Sequence, residues 1–156
     1  MKNTTPSLAL LCCLLTLIQP AVQAATAETN ATVSIPSPAE VQEKVLYHIN
    51  DSAVARVALR NIENHLSASP GVKIVVVTHG KGIDFLLNDA KDDKGAFAPQ
   101  VAGLKEKNVE FRVCRNTLKG RKLDDNDVIM EAQVVPSGVA EIGRLQAKEG
   151  FVYLKP

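Results

Sequence analysis

The chain has 156 residues, 46% of them hydrophobic and 22% charged, and its 18 basic and 17 acidic residues give a formal net charge of +1. Because the basic and acidic residues are nearly equal in number, the protein has no broad positive field. We therefore expect neither nucleic acid nor an anionic membrane surface as a partner. The length suits one compact domain of ordinary size.

The N-terminus has the three parts of a secretory signal peptide. Lys2 gives a positive start, residues 8–18 form an apolar run, and Val22-Gln23-Ala24 is a small-residue cleavage site. The run is about eleven residues long, well short of the roughly 20 that a membrane-spanning helix needs, so we expect no stable membrane span. The sequence therefore predicts a signal peptide over residues 1–24 and a periplasmic protein. After removal of the signal peptide, the mature chain is predicted to begin with a flexible leader over residues 25–43, rich in Ala, Thr, Ser and Pro.

The cysteine content limits the possible chemistry. Two of the three cysteines, Cys12 and Cys13, lie within the predicted signal peptide. Cys114 is then alone in a chain that enters an oxidising compartment, so it has no partner for an internal disulfide. It must be buried and inert, paired between chains, or chemically used.

Strand-like and helix-like patterns alternate from Lys44 onward, which predicts one domain over residues 44–156. A first strand over residues 45–49 is followed by short polar side chains, residues 50–52, that are able to cap a helix. That helix has an apolar face with residues four apart, namely Val54, Ala58, Ile62 and Leu66.

The second predicted strand, residues 72–78, is almost continuously β-branched after the turn at Pro70 and Gly71. Continuous apolar strands of this kind are typical of parallel sheets covered on both faces. A short helix over residues 83–87, a charged loop over 88–95 and a helix over 97–107 are predicted to follow.

The third predicted strand, residues 109–114, alternates in polarity. Val109, Phe111 and Val113 share one side of it, and Cys114 lies on the other side with Glu110 and Arg112. An inert, buried cysteine would more naturally share the apolar side, so this placement favours a chemical use.

The rest of the chain predicts a fourth strand around residues 133–135, a helix opening at 136–138 and a last strand over 151–154. The whole order predicts an α/β fold: a three-layer α/β/α open sheet, mostly parallel, of about five strands. In such sheets ligands bind at the carboxyl ends of the strands.

Cys114 stands at that edge, in the most basic stretch of the chain, which contains Arg112, Arg115, Lys119, Arg121 and Lys122. Positive charges and the free amide protons at a helix start stabilise a thiolate, the reactive form of cysteine. The same groups would hold an anionic sulfur species. The alternative is a solvated basic loop beside a half-buried thiol.

His79 and Gly80 come directly after the second strand at the same edge, where the imidazole is placed to transfer protons. Alternatively, His79 bonds only to a backbone carbonyl. His48, His79 and Cys114 together would suit copper or zinc, but their spacing is not a ligand motif, and we predict no metal. Gly80 and Gly82 lack the third glycine of a dinucleotide fingerprint, and we predict no cofactor.

Residues 76–80, 104–118 and 135–142, together with the ending 150–156, resemble the DsrE/DsrF-like family in order and spacing. The resemblance implies a flavodoxin-like α/β/α fold and assembly as a homo-oligomer, a trimer or a hexamer. It also implies kinship with sulfur-relay proteins that carry sulfur as a cysteine persulfide, with Cys114 as the strand-end cysteine. The signal peptide is a departure, because the well-described relay members are cytoplasmic, and it argues against a role in tRNA thiolation.

Two functions follow as hypotheses. The first is a periplasmic sulfur carrier or sulfurtransferase-like protein that binds sulfane sulfur on Cys114, exchanging it with donor and acceptor proteins or small sulfur anions. The second is a non-catalytic, oligomeric binding module for a small anion or a protein partner, in which Cys114 only packs. The substrate-binding residues predicted around Cys114 are His79, Gly80, Arg115, Asn116, Thr117, Ser137 and Gly138.

Overall fold

The computed structural model describes residues 42–156. The predicted signal peptide and most of the predicted leader lie outside the described residues. The helices and strands are, in chain order, β1 (Lys44–Ile49), α1 (Ala55–Ala68), β2 (Lys73–Thr78), β3 (Lys91–Asp92), β4 (Gly95–Ala96), α2 (Ala98–Glu106), β5 (Glu110–Cys114), α3 (Arg115–Gly120), β6 (Ala132–Val135), α4 (Gly138–Glu149) and β7 (Val152–Leu154). No helix within residues 42–156 has both the length and the apolar character needed to cross a bilayer.

The central sheet has five strands in the order β6-β5-β2-β1-β7. Every neighbouring pair is parallel. The predicted α/β class and strand number are confirmed. The inner strand β2 is the β-branched run of the sequence, and its residues from Ile74 to Thr78 are all buried, as a strand covered on both faces requires.

The helices divide unequally between the two faces of the sheet. The chain steps in one direction from β1 to β2, β5 and β6, so right-handed crossovers bring α1, α2 and α3 to one face. The last connection steps back past β1 to β7 and brings α4 to the opposite face. We call these the α1–α3 face and the α4 face.

The α1–α3 face holds the larger core. Fully buried side chains there come from the helices and from alternate strand residues, and include Ala58, Leu59, Ile62, Val76, Phe85, Leu104, Phe111 and Leu118. The core of the α4 face consists of Leu46, Val75, Val77, Leu145 and Phe151. The α1–α3 face therefore has many buried apolar side chains, and the α4 face has few.

Two local predictions need correction. The charged loop over residues 88–95 contains part of a small antiparallel hairpin, β3 and β4. Arg56 holds this hairpin, because its Nε atom donates to Asp92 at 2.8 Å and its guanidinium stacks 3.9 Å from the centre of the Phe97 ring. The helix predicted over residues 83–87 is a 3-10 helix that already begins at Gly80 and ends at Leu86.

Gly82 explains how this 3-10 helix lies so close to the end of β1. A Cβ atom at that position would lie 2.0 Å from the Ile49 carbonyl oxygen, which no side chain tolerates. The close approach sets the position of the preceding residues, His79 and Gly80, at the carboxyl edge of the sheet.

Candidate functional site

Cys114 is the last residue of β5 and the N-cap of α3, at the carboxyl edge of the sheet as predicted. Its side chain lies on the α4 face, because Phe111 and Val113 occupy the opposite one. The residue is 5% exposed. The thiol is therefore nearly buried in a single chain, although it stands at the edge where ligands bind.

Hydrogen-bond donors from two helix starts surround the sulfur. The backbone N–H groups of Asn116 and Thr117 and the Thr117 hydroxyl donate from the α3 side, and the N–H of Gly138 donates from the start of α4. Burial is the strongest single influence on the Cys114 pKa and raises it. The donors together outweigh burial, so the Cys114 pKa lies below its ordinary value.

Gly138 makes the contact from α4 possible. A Cβ atom there would lie 3.1 Å from the Cys114 Cβ, 3.2 Å from the Thr78 carbonyl oxygen and 3.3 Å from the His79 Cβ. A larger residue would push the start of α4 off the strand ends. Glycine lets the amide of α4 reach the sulfur.

Thr117 joins the cysteine to the end of β2. Its Oγ1 atom accepts a hydrogen bond from the Gly80 N–H at 3.1 Å, and the same hydroxyl is among the donors that lower the Cys114 pKa. Three of the predicted site residues, Gly80, Thr117 and Gly138, thus lie together around Cys114.

Ser137 and Asn116 contribute in other ways. The Ser137 hydroxyl caps α4 by accepting from the Ala140 N–H at 3.4 Å, which fixes the helix turn whose first amide meets the sulfur. Asn116 is exposed and reaches the sulfur through its backbone. Both residues support the site by holding or donating amide protons.

The sequence predicts that cationic side chains support the thiolate, and the structure shows that the arginines nearby are paired with carboxylates. Arg115 pairs with Asp125, Arg121 with Asp84, and Arg112 with Glu110 and Glu141. None of these arginines is among the groups that lower the Cys114 pKa. The donors that most lower the Cys114 pKa are neutral N–H and O–H groups.

His79 belongs to a pair of imidazoles that the sequence analysis did not connect. Its Nε2 atom lies 2.7 Å from His48 Nε2, and His48 Nδ1 lies 2.7 Å from the Tyr153 hydroxyl. Burial, then the nearby His79 and Lys155, lower the His48 pKa to about 4. His79 is therefore hydrogen-bonded to another side chain. The alternative prediction was a bond to a backbone carbonyl only.

Tyr153 is the site residue that sequence reasoning missed entirely. It lies on β7, which pairs with β1 so that Tyr153 is opposite Leu46 and on the same face as His48. The alternation of β1 indicates the face of His48, but only the pairing of the last strand with the first brings Tyr153 to it.

A cavity of about 600 Å³ lies beyond Thr117, lined by Gly80, Lys81, Asp84, Thr117, Gly120 and Arg121. It shares Gly80 and Thr117 with the surroundings of Cys114. Two cations and one carboxylate line it, so it suits a small polar molecule close to the thiol.

Within residues 42–156, no three His, Cys, Asp or Glu side chains group as a metal site would require. His48, His79 and Cys114 do not form such a group among these residues. The imidazole nitrogens of His48 are both engaged in hydrogen bonds.

A network of ion pairs fixes α4 above the sheet. Glu141 on α4 bonds to Arg112 on β5 and, at 2.7 Å, to Arg144, which also reaches Glu149 at 2.5 Å. The side chains of Arg112 and Glu141 are only 12% and 11% exposed. Because Glu141 is in the first turn of α4, this network also positions the Gly138 amide.

Two solved structures are similar to this chain. A protein of unknown function, MTH1491 from Methanobacterium thermoautotrophicum, has a TM-score of 0.67 and 29% identity, covering 74% of this chain and 100% of its own. The ychN protein from E. coli has a TM-score of 0.60 and 14% identity, covering 74% and 99%, and this likeness concerns the fold alone. The comparison with curated proteins finds no match.

The pattern of the DsrE/DsrF-like family matches residues 43–156, which is well over half of the sequence. This match agrees with the sheet and with the fold of the two solved structures. The chain belongs to the DsrE/DsrF-like family, and this membership suggests a function of the sulfur-relay type.

Proposed function

We propose that this protein is a sulfur carrier or sulfurtransferase-like protein that holds sulfane sulfur as a persulfide on Cys114. The observation that supports it is the set of donors around one sulfur atom: three backbone amides and a hydroxyl, at the edge where parallel sheets bind ligands. Together they favour an anionic sulfur, which both attacks and leaves more readily than a thiol.

The transfer would run in two displacement steps. The Cys114 thiolate attacks the outer sulfur of a donor, the new S–S bond forms as the donor's bond breaks, and the donor leaves with the electron pair. An acceptor nucleophile then attacks the outer sulfur on Cys114, and the Cys114 thiolate leaves. No external oxidant or reductant is consumed. The same hydrogen bonds stabilise the thiolate before the first step and after the second.

The low exposure of Cys114 supports the second candidate function, the non-catalytic binding module. A thiol that is 5% exposed is also what a packing residue looks like. In this case the cavity beyond Thr117 would bind a small anion or a side chain of a protein partner. The two functions differ in whether the sulfur reacts in the folded protein.

We also propose that the chain acts as a homo-oligomer in the periplasm. Met130, Val139 and Val152 are 93%, 66% and 60% exposed in the single chain. Contact with another copy of the chain would remove such side chains from water. The periplasmic location follows from the predicted signal peptide, and the donors and acceptors would then belong to that compartment. Light scattering of the purified protein gives the subunit number.

Mass spectrometry tests the carrier function. Wild type and Cys114→Ser are incubated with polysulfide, or with thiosulfate and a donor enzyme, and analysed before and after reduction. The expected result is a reducible gain of sulfur on Cys114 of wild type alone. A wild type without added sulfur, or the same gain on Cys114→Ser, contradicts the proposal. A thiol that iodoacetamide modifies only after unfolding favours the binding module.

A further inference from the structure

Four side chains from adjacent strands form a row across the carboxyl edge of the sheet. The row runs from Tyr153 on β7 to His48 on β1, then to His79 after β2 and Cys114 at the end of β5. The first three are joined by the two hydrogen bonds of 2.7 Å. His79 and Cys114 both lie against Gly138, with their Cβ atoms 3.3 Å and 3.1 Å from the Cβ position of that glycine.

We propose that His79 exchanges a proton with the donor or acceptor thiol that reacts at Cys114, and that His48 and Tyr153 connect His79 to solvent as a hydrogen-bonded relay. In this arrangement His79 is a catalytic residue, and His48 and Tyr153 are positioning residues that act through it. The relay rests on the proposed sulfur transfer. It gives the proton path of that transfer and the class of sulfur donor that the site favours.

The hydrogen bonds of His48 give the relay a direction. His48 is half-buried with a pKa of about 4, so near neutral pH it has a single N–H. It must therefore donate at one nitrogen and accept at the other. If the Tyr153 hydroxyl donates to Nδ1, His48 donates from Nε2 to His79, whose own proton is then on Nδ1. Because His48 occupies Nε2 of His79, Nδ1 is the nitrogen that serves the reacting sulfur.

Each displacement then has a complete proton balance. As the donor's thiolate leaves, it takes the Nδ1 proton of His79. The Nε2 proton of His48 then moves to His79 Nε2, and the hydroxyl proton of Tyr153 moves to His48 Nδ1. Tyr153 regains a proton from water. Tyr153 is 38% exposed, which gives it that contact. In the second step an acceptor thiol loses its proton to His79 Nδ1, and the relay returns to its first state.

This relay favours one class of sulfur donor. A thiol persulfide releases an alkyl thiolate, whose conjugate acid has a pKa of about 8.5, and its departure is easier when a proton is supplied. Thiosulfate releases sulfite, a weaker base than an alkyl thiolate, so its departure depends less on a supplied proton. We therefore assign thiol persulfides, of small molecules or of a partner protein, as the donors that this site serves best.

A pair of disulfide probes tests the relay without requiring any sulfur transfer. Glutathione disulfide releases a basic thiolate and needs a proton, whereas an aromatic disulfide releases an acidic one and does not. Rates of reaction at Cys114 are measured for wild type, His79→Gln, His48→Gln and Tyr153→Phe. Tyr47→Phe is the matched control, because Tyr47 also bonds to a histidine, His65, but on the α1–α3 face.

With glutathione disulfide, we expect His79→Gln to slow the reaction by about 100-fold, and the other two site variants by about tenfold. With the aromatic disulfide, all should stay within about twofold of wild type. Tyr47→Phe should match wild type with both probes. Equal losses on both probes would show a structural effect and overturn the relay, as would no loss on either.

Glutathione persulfide as a third probe separates this inference from the proposed function. If the two disulfides show the expected difference but the persulfide leaves no sulfur on Cys114, the relay stands and the carrier function fails. If the persulfide loads Cys114 at the same rate in wild type and His79→Gln, the carrier function stands and the relay is wrong.

Discussion

The two faces of the sheet are held in different ways. On the α1–α3 face, three helices cover a continuous hydrocarbon core. On the α4 face, the core has five buried apolar residues, one of them from the single helix α4, and ion pairs around Arg112 and Glu141 fix this helix. The site, with Cys114, His48 and His79, is on the second face. The comparison indicates that one face provides most of the stability and the other keeps polar groups close to a sulfur atom.

Ion pairs suit the second purpose because they are directional. A hydrocarbon core would leave no donors near the sulfur and would raise the Cys114 pKa through burial alone. On the α4 face, Glu141 fixes the first turn of α4, and the Gly138 amide meets the sulfur as a result. Four tests, from the largest expected effect to the smallest, address this division between the faces.

Leu59→Ala tests the α1–α3 face. Leu59 is fully buried on α1, on the opposite face of the sheet from Cys114. Removing its side chain should lower the free energy of unfolding by about 3 kcal/mol through lost burial and the remaining cavity, as measured by urea unfolding. The Cys114 pKa should not change. A large change in that pKa would show that the two faces are not separate.

Glu141→Gln tests the ion network of the α4 face. It leaves Arg112 without its nearly buried partner and should cost about 2 kcal/mol at neutral pH. Hydrogen bonds from Arg144, followed by those from Arg112, keep the Glu141 pKa below its ordinary value. Its contribution is therefore complete above about pH 4.5 and is lost as the pH falls through the lowered pKa. The gap between wild type and variant should close in acid.

Glu106→Gln is the control for this test, because Glu106 is an exposed residue of α2. It should change the free energy of unfolding by less than about 0.5 kcal/mol. If Glu141→Gln also raises the Cys114 pKa and Glu106→Gln does not, the network positions the site as well as stabilising the face. Equal effects of the two variants would contradict that role.

Thr117→Val tests the donors directly. The variant keeps the shape of the side chain and removes the hydroxyl that serves the sulfur and the Gly80 amide. The Cys114 pKa should rise by about one unit, equivalent to about 1.4 kcal/mol of lost thiolate stabilisation. Thr117→Ser retains the hydroxyl and should stay close to wild type. A serine variant that behaves like valine would contradict the role of the hydroxyl.

His48→Gln tests the polar row at the strand ends. The His48 pKa is about 4 in the folded state, compared with about 6.5 in the unfolded chain. Wild type should therefore lose stability through His48 as the pH falls from about 6.5 to 4, by roughly 1 kcal/mol because the side chain is partly exposed. The variant should lack this loss, which thermal unfolding at several pH values measures. A parallel decline in both proteins would contradict the His48 pKa.

The sequence predicts the fold because the fold depends on local patterns. The β-branched run ending at Thr78 indicates a covered parallel strand. The alternation of β5 puts Cys114 and Phe111 on different faces of the sheet. Both features survive in the structure because strand period and side-chain burial are properties of a few neighbouring residues.

The parts of the site that the sequence does not predict depend on pairings between distant segments. A basic stretch indicates where charge lies but not that Asp125 neutralises Arg115. The contact of Gly138 with Cys114 arises from the packing of α4 on the end of β5. Tyr153 reaches His48 only because the last strand pairs with the first.

The most direct test is a pH titration of the thiolate by its ultraviolet absorbance, with Cys114→Ser as the blank. Unlike alkylation, this measurement does not require a reagent to reach a sulfur that is 5% exposed. The account predicts a midpoint clearly below the ordinary value of about 8.5 in the folded protein, rising toward it on unfolding. A folded-state midpoint at or above about 8.5 would contradict a sulfur held in its anionic form.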